Sequence, residues 1–212
     1  MNRKEKIILT ITGGAHLSVH ALMLALPSLI PIFMSEFNIG IDVLGVVVTI
    51  SAFMFGIGAI PSGWLESKIG GKTLLILYLF GSSFSAILVS ISNSFYLLVF
   101  GLGLLGLSSS IYHPAGLTLI SNRVHHITKG MAVHGVFGST GSAIGPILAT
   151  TLALFISWRA SYAILGLFNC ALGIASILLI PSRNKAKDIE IMDNKKGANK
   201  TNRIALLFFY IT

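Results

Sequence analysis

The sequence predicts an all-α, polytopic membrane protein, and three observations carry that prediction. The 212 residues are 54% hydrophobic and only 10% charged, with a mean hydropathy of +0.85, far from the composition of a soluble globular domain. The apolar residues come in blocks of about 20 or more, enough for a helix to cross a hydrocarbon core about 30 Å thick. Lys and Arg gather at alternate ends of those blocks rather than along them.

Six complete spans are expected at about 7–34, 42–65, 73–91, 95–121, 130–156 and 159–180. They make residues 1–180 one six-helix transmembrane bundle. Residues 181–203 form a basic linker, expected to be cytoplasmic. Residues 204–212 begin another apolar run, but nine residues are too few to cross, since a helix needs about 20. That run reads as the truncated start of a seventh span, so the chain is expected to be the front half of a longer protein.

The first span follows Met1-Asn2-Arg3-Lys4-Glu5-Lys6, which resembles the charged start of a signal peptide. Its apolar stretch is too long for a signal core and shows no convincing cleavage site, so a retained span is expected. Inside it lies Gly13-Gly14-Ala15-His16-Leu17-Ser18-Val19-His20. Four residues of helix return a side chain to the same face, so His16 and His20 stack one above the other. If the helix enters near Ile7, His16 lies roughly 14 Å deep at 1.5 Å per residue, near the bilayer midplane. Ionisable groups at that depth usually face a bundle interior or a wet path.

Span two ends in Gly63-Trp64-Leu65-Glu66-Ser67-Lys68-Ile69-Gly70-Gly71-Lys72. Spans three and six carry few special residues and are expected at the periphery. Span four contains Gly101, Gly103 and Gly106, then Ser108-Ser109-Ser110 and Tyr112-His113-Pro114-Ala115-Gly116. Pro114 frees the carbonyl near Ser110, and freed backbone at membrane depth must be satisfied by protein or a wet cavity. Ser109, His113 and Gly116 share a helix face, giving a polar strip. Span five places Gly138, Gly141, Ser142 and Gly145 at helical spacing ahead of Pro146, a small-residue face suited to close helix packing. The two triplets of spans share only faint similarity, compatible with an inverted repeat.

Orientation follows from the connections. With the N-terminus cytoplasmic, the inside segments hold Arg3, Lys4 and Lys6, then Lys68 and Lys72, then Arg123 and Lys129, and finally seven cations between Arg183 and Arg203. The outside loops hold only Arg159, with Glu36 and Asp42. That asymmetry is the positive-inside pattern, and the expected location is the plasma (inner) membrane. The net charge of +8 has no aromatic-interleaved basic surface behind it, so no nucleic-acid partner is expected. Cys170 is the single cysteine, which rules out an intrachain disulfide.

Histidine dominates the candidate chemistry. His16, His20 and His113 are read either as protonatable groups in a translocation path or as neutral side chains hydrogen-bonded between helices. Ser109, Tyr112 and His134 are secondary candidates. His134 is expected to pack or line a vestibule near the cytoplasmic surface, and His125 and His126 to be solvated. The His16/His20 pair could supply two metal ligands, but no Cys or intramembrane carboxylate completes a site, so no metal is expected. No phosphate loop, catalytic triad or zinc-ligand spacing is present, so neither an enzyme nor a cofactor is expected.

Several of these patterns resemble the major facilitator superfamily of secondary transporters. Gly63, Leu65, Lys68, Gly70 and Lys72 are similar to its loop motif Gly-x-Leu-Ala-Asp-Arg-x-Gly-Arg-Arg, with Ser67 at the aspartate position and Glu66 one place early. Gly141, Gly145 and Pro146 are similar to its antiporter motif, and Ser157-Trp158-Arg159 also looks like the family. His16 and Tyr112-His113-Pro114 resemble the fosmidomycin-resistance-like branch, which often has an acid where His20 stands. The resemblance implies half of a twelve-span transporter, with spans one and four facing a cavity shared with a missing C-terminal half or a second copy. It also implies alternating access and proton-coupled export of a small amphipathic or anionic compound. Glu66 and Lys68 would serve a gate. Uptake or facilitated passage, or a non-transporting membrane component, remains the alternative.

Overall fold

A computed structural model describes residues 1–181, and within them every regular element is a helix. The helices are α1 (Arg3–Ser28), α2 (Ile30–Phe37), α3 (Ile41–Ile69), α4 (Gly71–Ser90), α5 (Phe95–Ser109), α6 (Tyr112–Arg123), α7 (Ile127–Phe155) and α8 (Trp158–Leu179). Six stretches are long and apolar enough to cross a membrane: α1, α3, α4, α5 with α6, α7 and α8. The linker beyond Pro181 and the expected start of a seventh span lie outside the described residues.

Local chemistry sets the helix ends. Asn2 and Glu5 form a reciprocal capping box at the start of α1, satisfying two otherwise orphaned N–H groups. The first apolar run is not one helix, because Pro31 offers no N–H to the carbonyl of Pro27. The chain breaks at Leu29 and resumes as α2. Span four breaks for the same reason: Pro114 cannot donate to Ser110, and α5 gives way to α6 across Ser110 and Ile111. Between α3 and α4, Gly70 turns the chain at φ 80°, ψ 156°, a backbone region that a Cβ disfavours.

Two apolar clusters make the core. One, built around Leu26, Phe33, Leu98, Trp158 and Tyr162, lies toward the end bearing Glu36. The other, around Leu9, Leu75, Tyr78, Leu119 and Ile180, lies toward the end bearing the N-terminus. A polar waist separates them. It consists of His16 and Ser18 on α1, Ser82 and Ser85 on α4, Ser108 and Ser109 on α5, and Asn169 on α8, all buried. Most of its groups are paired: Ser82 donates to the Tyr78 carbonyl, and Asn169 Nδ2 donates to Ser82 Oγ at 2.7 Å. Buried polar groups in a bundle interior need such partners.

Small residues bring the helices together. On α7, a Cβ at Gly141 would strike the backbone of Leu17, and one at Gly145 would strike Ala21, so these glycines let α1 and α7 pack backbone to backbone. On α5, Gly106 lies against the Ser51 backbone of α3 in the same way. The two contacts are counterparts if α1, α3 and α4 are exchanged with α5–α6, α7 and α8. The α4–α8 contact maps onto itself. This pattern fits the inverted three-helix repeat.

Span three differs from its expected peripheral place. Over half of its apolar window, 56%, is buried within the bundle, against 22% for spans two and five. Its serines and small side chains let α5, α6 and α8 approach closely. The weakly covered apolar faces belong to α3 and α7.

At the end bearing the N-terminus, Lys72 Nζ donates to the carbonyls of Ile177 and Ile180, capping the C-terminus of α8. A cation is favoured there by the helix dipole. Arg123 donates to the Pro181 carbonyl at 2.6 Å. Glu5, buried, accepts the His125 N–H at 2.9 Å and so ties the first turn to the α6–α7 loop. At the other end, Arg159 donates to Glu36 at 2.8 Å and to the Ser92 carbonyl at 3.0 Å, with its guanidinium over the Trp158 ring. The Arg159 hydrogen bond holds the Glu36 carboxyl below its ordinary pKa.

Candidate functional site: a histidine cluster at the waist

The periodicity of α1 puts His16 and His20 on one face, and their Nε2 atoms lie 3.1 Å apart. The His16 Nδ1 sits 2.8 Å from the backbone carbonyl of His134 on α7. A carbonyl only accepts, so His16 Nδ1 carries the proton and, in the neutral ring, Nε2 keeps its lone pair. That lone pair faces His20, whose Nε2–H then donates to it.

The geometry around His16 depends on Gly138. A Cβ at that position would overlap the imidazole, so only the absence of a side chain lets the ring lie against α7. The His134 ring stacks on His16 at 3.8 Å between centroids, with 14° between planes. Beside both rings comes α6. The Tyr112 ring stacks near His16 at 5.3 Å, and His113 meets it edge-on at 5.3 Å. His113 also lies 5.9 Å from His20 and 6.0 Å from Phe55 of α3.

Tyr112 is the buried keystone on this side. Its hydroxyl donates to the Thr12 carbonyl on α1. With that one proton committed, the His134 Nδ1 at 3.3 Å is the donor toward the same oxygen. A single tyrosine therefore links α1, α6 and α7. The break before Pro114 makes this possible, since α6 begins at Tyr112 and aims Tyr112 and His113 across the waist from its first turn.

Four of the six histidines thus converge from three helices, with one face part-exposed through His20 and His113. His16, His20 and His113 lie together here, and Tyr112 and His134 join them. The contact between His134 and His16 was not legible in the sequence, although His134 and Gly138 lie four residues apart on the glycine face. Ser109 is fully buried one turn before His113, and its hydroxyl makes no hydrogen bond to protein. His125 and His126 are exposed, as expected.

The loop motif lies apart from the cluster, at the end of α3. Gly70 makes its turn and Lys72 caps α8, while Lys68 lies 5.6 Å over the Trp64 ring. Gly141 and Gly145 of the other motif form the α1–α7 seam rather than a surface, and Pro146 follows them within α7.

A bundle of six crossing helices in two interchangeable triplets, with titratable groups held at mid-depth, defines a multi-pass membrane protein of the transporter type. The sequence profile of the Major Facilitator Superfamily matches residues 11–211, and the chain belongs to that superfamily. An inner membrane transport protein of Escherichia coli strain K12, YnfM, is 25% identical over 170 residues, covering 79% of this chain and 41% of its own length. A class H tetracycline resistance protein of Pasteurella multocida is 27% identical over 213 residues, covering 98% of this chain and 52% of its own. A crystal structure of the peptide transporter POT, as an E310Q mutant with sulfate, superposes with a TM-score of 0.71 at 10% identity. It covers 93% of this chain and 48% of that one, so it shares the fold. The chain spans about half the length of the relatives it matches.

Proposed function

We propose that this bundle is one half of a secondary transporter that works by alternating access and couples export of a small amphipathic or anionic compound to protons. The histidine cluster carries the reading. Among the described residues no carboxylate stands at the waist, and the imidazoles there change charge near neutral pH. His16, His20 and His113 would take up the proton or contact the substrate, with Tyr112 and His134 fixing the ring of His16. The second half, whether a C-terminal six-helix bundle or another copy, would close the cavity against the exposed faces of α3 and α7. The N-terminus would be cytoplasmic in the inner membrane, because the basic residues gather at that end. The names of the tetracycline and quinolone resistance relatives support export, while that of a chloroplastic anion transporter supports an anionic substrate. The His16 and Tyr112-His113-Pro114 pattern supports the fosmidomycin-resistance-like branch.

The test is flux in proteoliposomes containing the complete two-bundle transporter. An imposed pH gradient should drive substrate against its concentration gradient, and His16→Ala should abolish that accumulation. Equal flux with and without the gradient would establish the runner-up, a facilitator. No flux of any solute would leave a non-transporting membrane component.

A further inference from the structure

We infer that His16, His20 and His113 form a binding site for a divalent transition-metal cation of the zinc class, with a coordination position left open toward the part-exposed face of the cluster. One ligand nitrogen from each residue lies within 4.8 Å of the others. In a tetrahedral site with metal–nitrogen bonds of about 2.0–2.1 Å, the nitrogens stand about 3.3–3.4 Å apart. The His16 and His20 Nε2 atoms, at 3.1 Å, are already near that spacing. His113 must close by about 1.5 Å to complete the triangle, a side-chain adjustment open to a part-exposed residue at a helix start.

The orientation of His16 is the second observation. A ligating histidine almost always donates its other ring N–H to a carbonyl or carboxylate, which fixes the tautomer and aims the lone pair. His16 does this at 2.8 Å to the His134 carbonyl, and its free Nε2 points at His20. The stacked rings of His134 and Tyr112 and the space at Gly138 hold that pose. His20 needs only to change tautomer, moving its proton to Nδ1, to present a second lone pair without losing a proton overall.

Donor chemistry selects the cation class. Three imidazoles suit zinc, copper, nickel or iron(II), and exclude magnesium and calcium, which require oxygen. Three neutral ligands leave the ion's charge uncompensated at membrane depth. The open position therefore favours an anionic fourth ligand, such as hydroxide, chloride or a carboxylate.

The test uses the full chain in detergent, stripped with a chelator and titrated with Co2+ as a spectroscopic stand-in for Zn2+. One equivalent should produce the intense visible bands of tetrahedral cobalt, and stoichiometric Zn2+ should bleach them. His20→Ala and His113→Ala should each weaken Co2+ binding at least tenfold, while a His125→Ala/His126→Ala double variant should bind as the parent does. His20 is the cleaner probe, because it hydrogen-bonds to His16 and its loss leaves the Tyr112 link intact. Absence of tetrahedral bands in the parent would overturn the inference. So would bands that survive in His20→Ala and His113→Ala, or that vanish in the double variant. The inference does not rest on transport. Cobalt binding without flux would sustain it and count against the proposed function, whereas flux without binding would do the reverse.

Discussion

Each important side chain at the waist has its neighbours set by one or two atoms. The His134 carbonyl decides which nitrogen of His16 is protonated, and the Tyr112 hydroxyl decides the same for His134. Gln in place of His16 can hydrogen-bond but cannot take up charge near neutral pH. His16→Gln is therefore expected to insert and accumulate normally yet lose coupled flux in the complete transporter. Unchanged flux with an unchanged pH profile would reduce His16 to a packing residue. At the far end, Glu36 has its carboxyl held low by Arg159. A depressed folded pKa gives stability that is complete above the unfolded value, about 4.3, and lost as pH falls through the folded one. Thermal unfolding in nanodiscs should show Glu36→Gln less stable than the parent at about pH 7, with the two curves converging well below about pH 4. Parallel curves across that range would show that the ion pair contributes nothing.

Helices here are positioned by what they lack. In lipid there is no hydrophobic drive between apolar helices, so close backbone approach decides which ones pair. Gly141 sits where a side chain would enter the Leu17 backbone, whereas Gly135, on the same helix, has open space around it. Gly141→Leu is expected to destabilise the bundle by about 3 kcal/mol in a denaturant titration, and Gly135→Leu to change it little. Comparable losses in both variants would mean that the seam is not the determinant. Prolines act by a different deficit. Pro31 and Pro114 each offer no N–H to the carbonyl four residues back, and the breaks beside them separate α2 from α1 and let α6 start at Tyr112 and His113.

Across the whole molecule, the alternation of basic and non-basic ends predicts which loops share a side of the membrane. In a Cys170→Ala background, cysteines placed at Asn38, Asn93 and Ser157 should react with an impermeant reagent from outside, and those at Gly70 and His126 should not. Equal labelling of Gly70 and Asn93 would refute six spans. The bare faces of α3 and α7 lead to a further expectation: the purified chain alone gives no saturable flux in liposomes. Saturable flux from a demonstrated monomer would show that one bundle encloses a path. Span number, helical class and the His16/His20 pairing were all legible in the sequence, because each depends on hydrophobic length, charge at segment ends or spacing within one helix. Those are local properties, and a bilayer enforces them segment by segment. The superfamily came instead from the resemblance of its motifs. The sequence also pointed to His113 through the proline beside it, and to Tyr112 through the resemblance of the Tyr112-His113-Pro114 element. It did not show that His134 lies on His16, that span three is buried, or that Gly138 makes room for an imidazole. Each of these depends on the register between helices distant in the chain. That register is decided by many small backbone contacts acting together, and only the packed bundle contains them.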